Sequence, residues 1–329
     1  MRDSGPVTVG SEGVVLARLR RPVSDRPTRL AVVSDAHVAT RVEGTDKMFH
    51  TTEDRLRAAV WRLNAAEPSP DLVLFNGDLT KDGEPWNFER FDGIAADLEA
   101  PFAAAPGNHD VPKEFDDHET PPLSAFEDSY APEPLPFVRR VGGVDLVVLD
   151  SATFPDGSFG DGHRGALSPS QLGWLEENLG NLDKPVVALH HNILPVLPKT
   201  VGNLAFRRVY SLYNRAEVVS VLEDHDVPLV LTGHHHIPDS ERVGGVTEVT
   251  APPACSYPQA HLVVDVNRKG TTVRLVPHAE KEEQREAYDA LSSAANTRRR
   301  FAGVVDGKLR GAPLIQDAPR KRKPPEPTD

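Results

Sequence analysis

Leu30-Ala31-Val32-Val33-Ser34-Asp35-Ala36-His37 is a short apolar run that delivers a carboxylate and an imidazole just beyond its end. The same arrangement recurs down the chain. Asp71 to Phe75 precedes Gly77-Asp78, and Pro101 to Ala105 precedes Gly107-Asn108-His109-Asp110. Pro185 to Leu189 precedes His190-His191, and Pro228 to Leu231 precedes Gly233-His234-His235-His236. Between the first two runs, Thr51 or Thr52 is placed to cap a helix carrying Leu56, Ala59, Val60 and Leu63 at helical spacing. This is β-loop-α-β, the start of an α/β fold with buried parallel strands. Polar groups after such strands collect at the carboxyl edge of the sheet, where ligands of open α/β sheets bind. One histidine beside an apolar run is ordinarily a core or surface residue; five ordered clusters holding seven of the 13 histidines point to one site.

Further out, Trp86 to Leu98 has helical character, Val144 to Leu149 reads as a strand, and residues 111 to 136 lack periodicity and read as a long loop. Ser168-Pro169-Ser170-Gln171 predicts a capping box with proline at the first helical position, opening a helix with Leu172, Leu175 and Leu179. A helix near Asn214 to Glu223 follows. Gly245 to Thr250, His261 to Val266 and Thr271 to Val276 predict an antiparallel meander, and residues 279 to 306 a helical segment. The expected organisation is an arm or edge strand over residues 1–27, with Val14 to Leu19 as the candidate strand. A catalytic domain over 28–278 and a helical extension with a disordered basic and proline-rich tail over 279–329 complete it.

The chain has 329 residues, 39% hydrophobic and 26% charged, within the range of folded globular proteins. Its formal net charge of −12 argues against a nucleic-acid partner, because backbone attraction needs excess lysine and arginine. The runs Arg298-Arg299-Arg300 and Arg320-Lys321-Arg322-Lys323 read as solvated. Cys255 is the sole cysteine, so no disulfide framework or thiolate cage forms; it is expected to pack as a small apolar residue, leaving no soft ligand for the site. No secretory core and no run near the length of a membrane span is present, so a cytoplasmic protein without membrane partners is expected.

A phosphodiester is anionic and resists an anionic nucleophile. A catalyst therefore needs positive charge on the phosphoryl oxygens and a nucleophile available near neutral pH. Two metal ions about 3.5–4 Å apart supply both, and bound water then ionises near pH 7. Asp78 is the natural bridging carboxylate. Imidazole and carboxylate donors suit Mn, Fe, Zn or Ni better than Mg or Ca. Gly77, Gly107 and Gly233 stand where the backbone needs positive φ or close approach. Asp35 and His37, like His234 and His236, are two apart, which in extended geometry aims both at one face.

Asp35-x-His37, Gly77-Asp78, Gly107-Asn108-His109-Asp110, His190 and Gly233-His234-x-His236, in this order, resemble the calcineurin-like metallophosphoesterase superfamily over roughly residues 28 to 278. The resemblance implies a four-layer αββα sandwich of two mixed sheets with the metal site at strand carboxyl ends. It implies one metal on Asp35, His37 and His236, a second on Asn108, His190 and His234, and Asp78 between them. A metal-bridging hydroxide would attack phosphorus in line. His109 would assist the leaving group, with Asp110 orienting its ring, while His191 and His235 would be supporting neighbours. Gly77-Asp78-Leu79-Thr80, Asp82-Gly83-Glu84 and the helix with Leu167, Gln171, Trp174 and Leu175 are similar to the class III cyclic-nucleotide phosphodiesterase branch. Asn192 departs from the pattern, since proline often follows the histidine pair. Arg41, Lys47, Phe49, His50, His163 and Arg164 are candidates to touch substrate.

The expected activity is that of a phosphodiesterase on a small phosphoester, a cyclic nucleotide or glycerophosphodiester among the options. A phosphomonoesterase or nuclease with the same metals is the alternative within enzymes. A scaffold that has lost catalysis is the alternative outside them; such scaffolds typically lack a ligand or the His109 equivalent, and this chain lacks none.

Overall fold

The computed structural model describes residues 5–38, 45–114, 117–154, 163–195, 211–295 and 298–317. Arg41, Arg320 to Lys323 and the proline-rich tail lie outside the described residues. One sheet contains seven strands: β1 (Val14–Leu19), β2 (Thr28–Val33), β3 (Leu72–Asn76), β4 (Phe102–Ala105), β11 (Ala260–Asn267), β12 (Gly270–Pro277) and β13 (Ile315–Gln316). Their spatial order is β13-β1-β12-β11-β2-β3-β4. The other contains six: β5 (Phe137–Val141), β6 (Val144–Val148), β7 (Pro185–Ala188), β8 (Leu229–Thr232), β9 (Asp239–Val243) and β10 (Val246–Thr250), in the order β5-β6-β7-β8-β10-β9. Both are mixed: β2·β3, β3·β4, β6·β7, β7·β8 and β8·β10 pair in parallel, and the remaining pairs include antiparallel ones such as β11·β12 and β5·β6.

Period-two alternation builds the layers. Leu30, Val32, Leu72 and Leu74 of the first sheet meet Leu146, Val148, Val186, Leu229 and Leu231 of the second in a central core. The opposite faces, Ala31, Val33, Val73 and Phe75, pack beneath helices α1 (Thr52–Asn64), α2 (Pro85–Ala95) and α3 (Leu123–Tyr130). Val147, Val187 and Val230 pack beneath α4 (Pro169–Asn178) and α5 (Arg215–Asp224). The result is the four-layer αββα sandwich. Strands covered on both faces read as continuous apolar runs, which is why they were visible in the sequence. Phe75 sits edge-on to Phe91 and Phe102, with centroids 4.9 and 5.4 Å away. Its burial, worth about 1.5–3 kcal/mol, pins the end of β3 immediately before Gly77-Asp78.

Three expectations differ from what is observed. The late strands do not form one meander: β10 lies between β8 and β9 in the second sheet, whereas β11 and β12 pair with each other in the first. Residues 111 to 136 contain α3, whose Phe126 and Tyr130 are buried against Phe88 and Phe91; eight residues with two aromatic anchors are too few for a periodic signal. The Ser168 box is half formed. Its hydroxyl accepts from the Gln171 N–H, but the Gln171 side chain binds the main chain of Asp150 instead.

The segment before β2 contributes β1, paired with β12 and β13. Beyond β12, α6 (Lys281–Ser292) and α7 (Arg299–Gly311) send Ala287, Leu291, Phe301, Val305 and Leu309 into the central core.

Candidate metal centre

The loops after β2, β3, β4, β7 and β8 meet at one edge. Main-chain bonds tie them together: Asp35 N–H to Gly77 O (3.0 Å), His37 N–H to Asp78 O (2.9 Å) and Gly233 N–H to His190 O (2.9 Å). Asp35, His37, Asp78, His234 and His236 all have positive φ, between 45° and 68°. This corrects the extended geometry inferred from their spacing. The shared face arises because alternate residues turn left-handed, a conformation that costs free energy and concentrates at functional sites.

The three glycines fit by absence of a side chain. A Cβ at Gly107 would meet the Asp78 main-chain nitrogen at 2.1 Å, one at Gly77 the His190 ring at 2.3 Å, and one at Gly233 the Ser34 hydroxyl at 2.0 Å. Only Gly77 of the three also needs positive φ, at 82°.

Asp78 Oδ2 lies 3.4 Å from His37 Nε2 on one side and 3.4 Å from His190 Nε2 on the other. His236 Nε2 lies 3.1 Å from both His37 Nε2 and Asp35 Oδ1. Donor atoms of Asp78, His190 and His234 fall within 4.8 Å of one another, as do those of His37, Asp78 and His109. Outer contacts aim the rings. His190 Nδ1–H donates to Asn76 O at 2.9 Å, and His236 Nδ1 meets Ser256 Oγ at 3.2 Å, so each Nε2 turns inward. Ser34 Oγ–H donates to Asp35 Oδ2 at 2.6 Å.

Burial alone would raise the Asp78 carboxyl, but His190, His109 and His37 outweigh it and hold the group well below the usual carboxylate range. Burial and the Lys47 ammonium depress His37, and burial with neighbouring histidines depresses His234; both stay neutral, as metal ligands must. His190 behaves oppositely. Against its burial, Asp78 pushes it up to about 9, a position that calls for positive charge. Asn108 Oδ1 is buried and makes no hydrogen bond, while buried Asp35 Oδ1 and His190 Nε2 meet other candidate ligands, His236 Nε2 at 3.1 Å and Asp78 Oδ2 at 3.4 Å. Inward-facing oxygen and nitrogen lone pairs of this kind fit divalent cations.

Two expectations need correcting. Asp110 does not orient the His109 ring. Its carboxylate accepts from Leu79 N–H (3.0 Å), Thr80 N–H (2.9 Å), Thr80 hydroxyl (2.9 Å) and Gly107 N–H (3.0 Å), bracing the loop that carries Asp78. The ring is held by the Lys81 carbonyl, 2.5 Å from Nδ1. Cys255 is buried, as expected of a small apolar residue, but a soft donor does stand near the site: its Sγ is 3.9 Å from His236 Nδ1 and falls within 4.8 Å of donor atoms of His37 and His236. Burial pushes its thiol up to about 12, so it stays protonated at neutral pH. No pattern in the sequence pointed to Cys255, Lys81, Ser256 or Asn76.

His191 is buried with Nδ1 3.0 Å from Ser151 Oγ, and His235 is buried beside His234. Among the substrate candidates, Phe49 stands 5.6 Å from the His37 ring, the His163 carbonyl is 3.2 Å from His234 Nε2, and Arg164 covers the Tyr213 ring at 5.1 Å. His50 is exposed. Asn192 donates to Thr232, Glu248 and Thr250, which explains a residue that proline cannot replace here.

Residues 28–238 match the family described as calcineurin-like phosphoesterase. The chain belongs to that family. It is a metallophosphoesterase, and so a phosphoric ester hydrolase. A Mycobacterium tuberculosis protein named cAMP/cGMP dual specificity phosphodiesterase is 31% identical over 249 residues, 72% of this chain and 71% of that one. A Rhodococcus erythropolis protein carrying the name "Probable cyclic nucleotide phosphodiesterase" is 30% identical over 70% of this chain and 72% of its own. An Arcobacter nitrofigilis protein with the name "Probable glycerophosphodiester phosphodiesterase" is 29% identical over 49% and 55%. Among solved structures, a purple acid phosphatase of yellow lupin seeds aligns with a TM-score of 0.49 at 10% identity, covering 80% of this chain and 53% of that one. Calcineurin-like phosphoesterases use divalent metals, and the clustered donors of this metallophosphoesterase are their candidate ligands. No described helix is long and apolar enough to cross a membrane.

Proposed function

We propose that the chain is a metal-dependent phosphodiesterase with a dinuclear centre. Asp35, His37 and His236 would hold one ion, Asn108, His190 and His234 the other, and Asp78 would serve both. Mn, Fe, Zn or Ni ions suit this donor set. When bound, such ions neutralise phosphoryl charge and lower the pKa of coordinated water. The observation that carries the reading is the position of Asp78 Oδ2, 3.4 Å from one imidazole of each set.

The chain's own groups do the rest. Neutral His37, His234 and His236 keep their lone pairs available, and ionised Asp35 and Asp78 offset the cationic charge. His109 donates Nδ1–H to the Lys81 carbonyl, and burial lowers the ring to about 4, so at neutral pH Nε2 would first take up the proton released as the attacking water ionises and then pass it to the departing alkoxide. The His109 ring stands edge-on to His37 at 4.7 Å, which fixes it beside the centre. Asp110 keeps the Asp78 loop in shape.

Relatives named for cyclic nucleotide and glycerophosphodiester hydrolysis support a small phosphodiester as substrate. Purified protein supplied with Mn²⁺ should hydrolyse an activated aryl phosphodiester, and a panel of cyclic nucleotides and glycerophosphodiesters should reveal the preferred ester. No turnover above buffer with Mn²⁺, Fe²⁺, Zn²⁺ or Ni²⁺ would overturn the proposal.

A further inference from the structure

Arg298 stands at the N-terminal cap of helix α7, which has no acidic residue in its first turn. Three arginines at a helix N-terminus oppose the helix dipole, which favours negative charge there. Arg299 and Arg300 are exposed, as the sequence suggested, but Arg298 is not simply solvated. Its Nε lies 2.5 Å from Asp46 Oδ2, and its guanidinium stands 5.8 Å from the ring of Phe301, a residue of the central core. Asp46 thus supplies the anion that the helix start lacks.

Asp46 occupies the first central position of a tight turn. The Met48 N–H donates to Thr45 O at 3.0 Å, the Phe49 N–H donates to Thr45 Oγ1 at 3.3 Å, and Met48 has φ of 52°. The second central position is Lys47. Its ammonium is 5.5 Å from the Phe49 ring centroid, and that ring is 5.6 Å from His37. Lys81, 5.4 Å from the same ring, is paired with Asp82; Lys47 makes no such pair among the described residues. The Lys47 charge is felt at His37, His109 and His236, each depressed first by burial. An ammonium beside a phosphoester centre and without a carboxylate partner is suited to an anionic ligand.

We propose that Lys47 contacts a non-bridging oxygen of the substrate's phosphoryl group, and that Arg298 is a positioning residue holding Lys47 in place through Asp46. The inference rests on the phosphohydrolase reading and extends it: residue 298 lies outside the family segment 28–238, so the C-terminal helices become part of the substrate site.

The test uses the full chain with Mn²⁺ bound, an aryl phosphodiester as substrate and inorganic phosphate as competing ligand. Lys47→Met should weaken phosphate inhibition by roughly tenfold or more, the loss of one charge-assisted contact, and raise KM more than it lowers kcat, with metal content unchanged. Arg298→Met and Asp46→Asn should reproduce part of that shift, and hydrogen exchange should quicken at residues 45–49. Arg298→Lys should restore much of the affinity. Combined with Lys47→Met, Arg298→Met should weaken phosphate binding no further, because it acts through Lys47. If Arg298→Met lowers thermal stability but leaves phosphate inhibition and KM unchanged, its role is structural only and the proposal fails. An unchanged Lys47→Met protein overturns it equally. Absence of turnover in the unsubstituted protein is a different result, and it would remove the phosphohydrolase reading on which the proposal depends.

Discussion

His109 Nδ1 is 2.5 Å from the carbonyl oxygen of Lys81. A carbonyl only accepts, so Nδ1 carries the proton, and Nε2 is the atom that the proposed function assigns to the leaving oxygen. His109→Ala should lower kcat by about 10²–10⁴, the range for a general acid, while retaining the metal content of the unsubstituted protein. The loss should be greater with an alkyl leaving group than with a nitrophenolate, which departs without a proton. Equal losses on both esters would show that His109 does not act on the leaving oxygen.

Asp110 offers a contrasting expectation. Its four accepted bonds hold the loop of Asp78, and none goes to the His109 ring. Asp110→Asn replaces one acceptor oxygen by a donor facing N–H groups, so metal affinity should fall and the pH profile of kcat should keep its shape. A displaced profile with unchanged metal affinity would restore the role that sequence order suggested.

Glycine substitutions should separate close approach from helix propensity. A Cβ at Gly107 would lie 2.1 Å from the Asp78 nitrogen, whereas one at Gly173, inside α4, meets nothing within 4 Å. Gly107→Ala should cost about 1–3 kcal/mol and reduce bound metal. Gly173→Ala should stabilise by roughly 0.5–1 kcal/mol with activity unchanged. Thermal melts and metal analysis of the two proteins check both outcomes.

How much of this could be read from the sequence follows from the same physics. Strands buried on two faces, such as Leu72–Asn76 and Leu229–Thr232, have a continuous apolar signature, and their polar successors mark the site. The edge strand Asp239–Val243 has three exposed residues in five and carries no such signature. The donors that converge are chemically distinctive residues at strand ends. Their supports are not: the Lys81 and Asn76 carbonyls belong to the main chain and are silent in sequence. Cys255 reaches the site because Cys255 N–H and Ala254 N–H bond Asp35 O and Ser34 O, a long-range pairing no local pattern encodes.

Acid stability carries another prediction. His261 and His278 are buried and stacked, centroids 6.2 Å apart and planes 7° from parallel. Burial depresses them to about 4 and about 3. Both stay neutral in the folded chain, while the unfolded chain takes up protons below about pH 6.5. The stability is therefore complete above that pH and is lost as pH falls toward 4 and 3, about 3 kcal/mol for His261 and about 5 kcal/mol for His278. Buried Glu248, pushed up to about 7, works oppositely, because the folded state holds its proton between about pH 7 and 4.5. The two effects partly cancel in the unsubstituted protein. Denaturant unfolding of His278→Gln should isolate one: between pH 7.5 and 4.5 its stability should improve relative to the parent by about 2–3 kcal/mol. A difference independent of pH would contradict the assignment.

The central claim is that Asp78 serves two cations at once. Metal analysis of purified protein equilibrated with Mn²⁺ tests it most directly. Two ions per chain are expected for the unsubstituted protein and for His109→Ala, and a marked loss at both positions for Asp78→Asn. One ion or none in the unsubstituted protein, or full occupancy in Asp78→Asn, would contradict it.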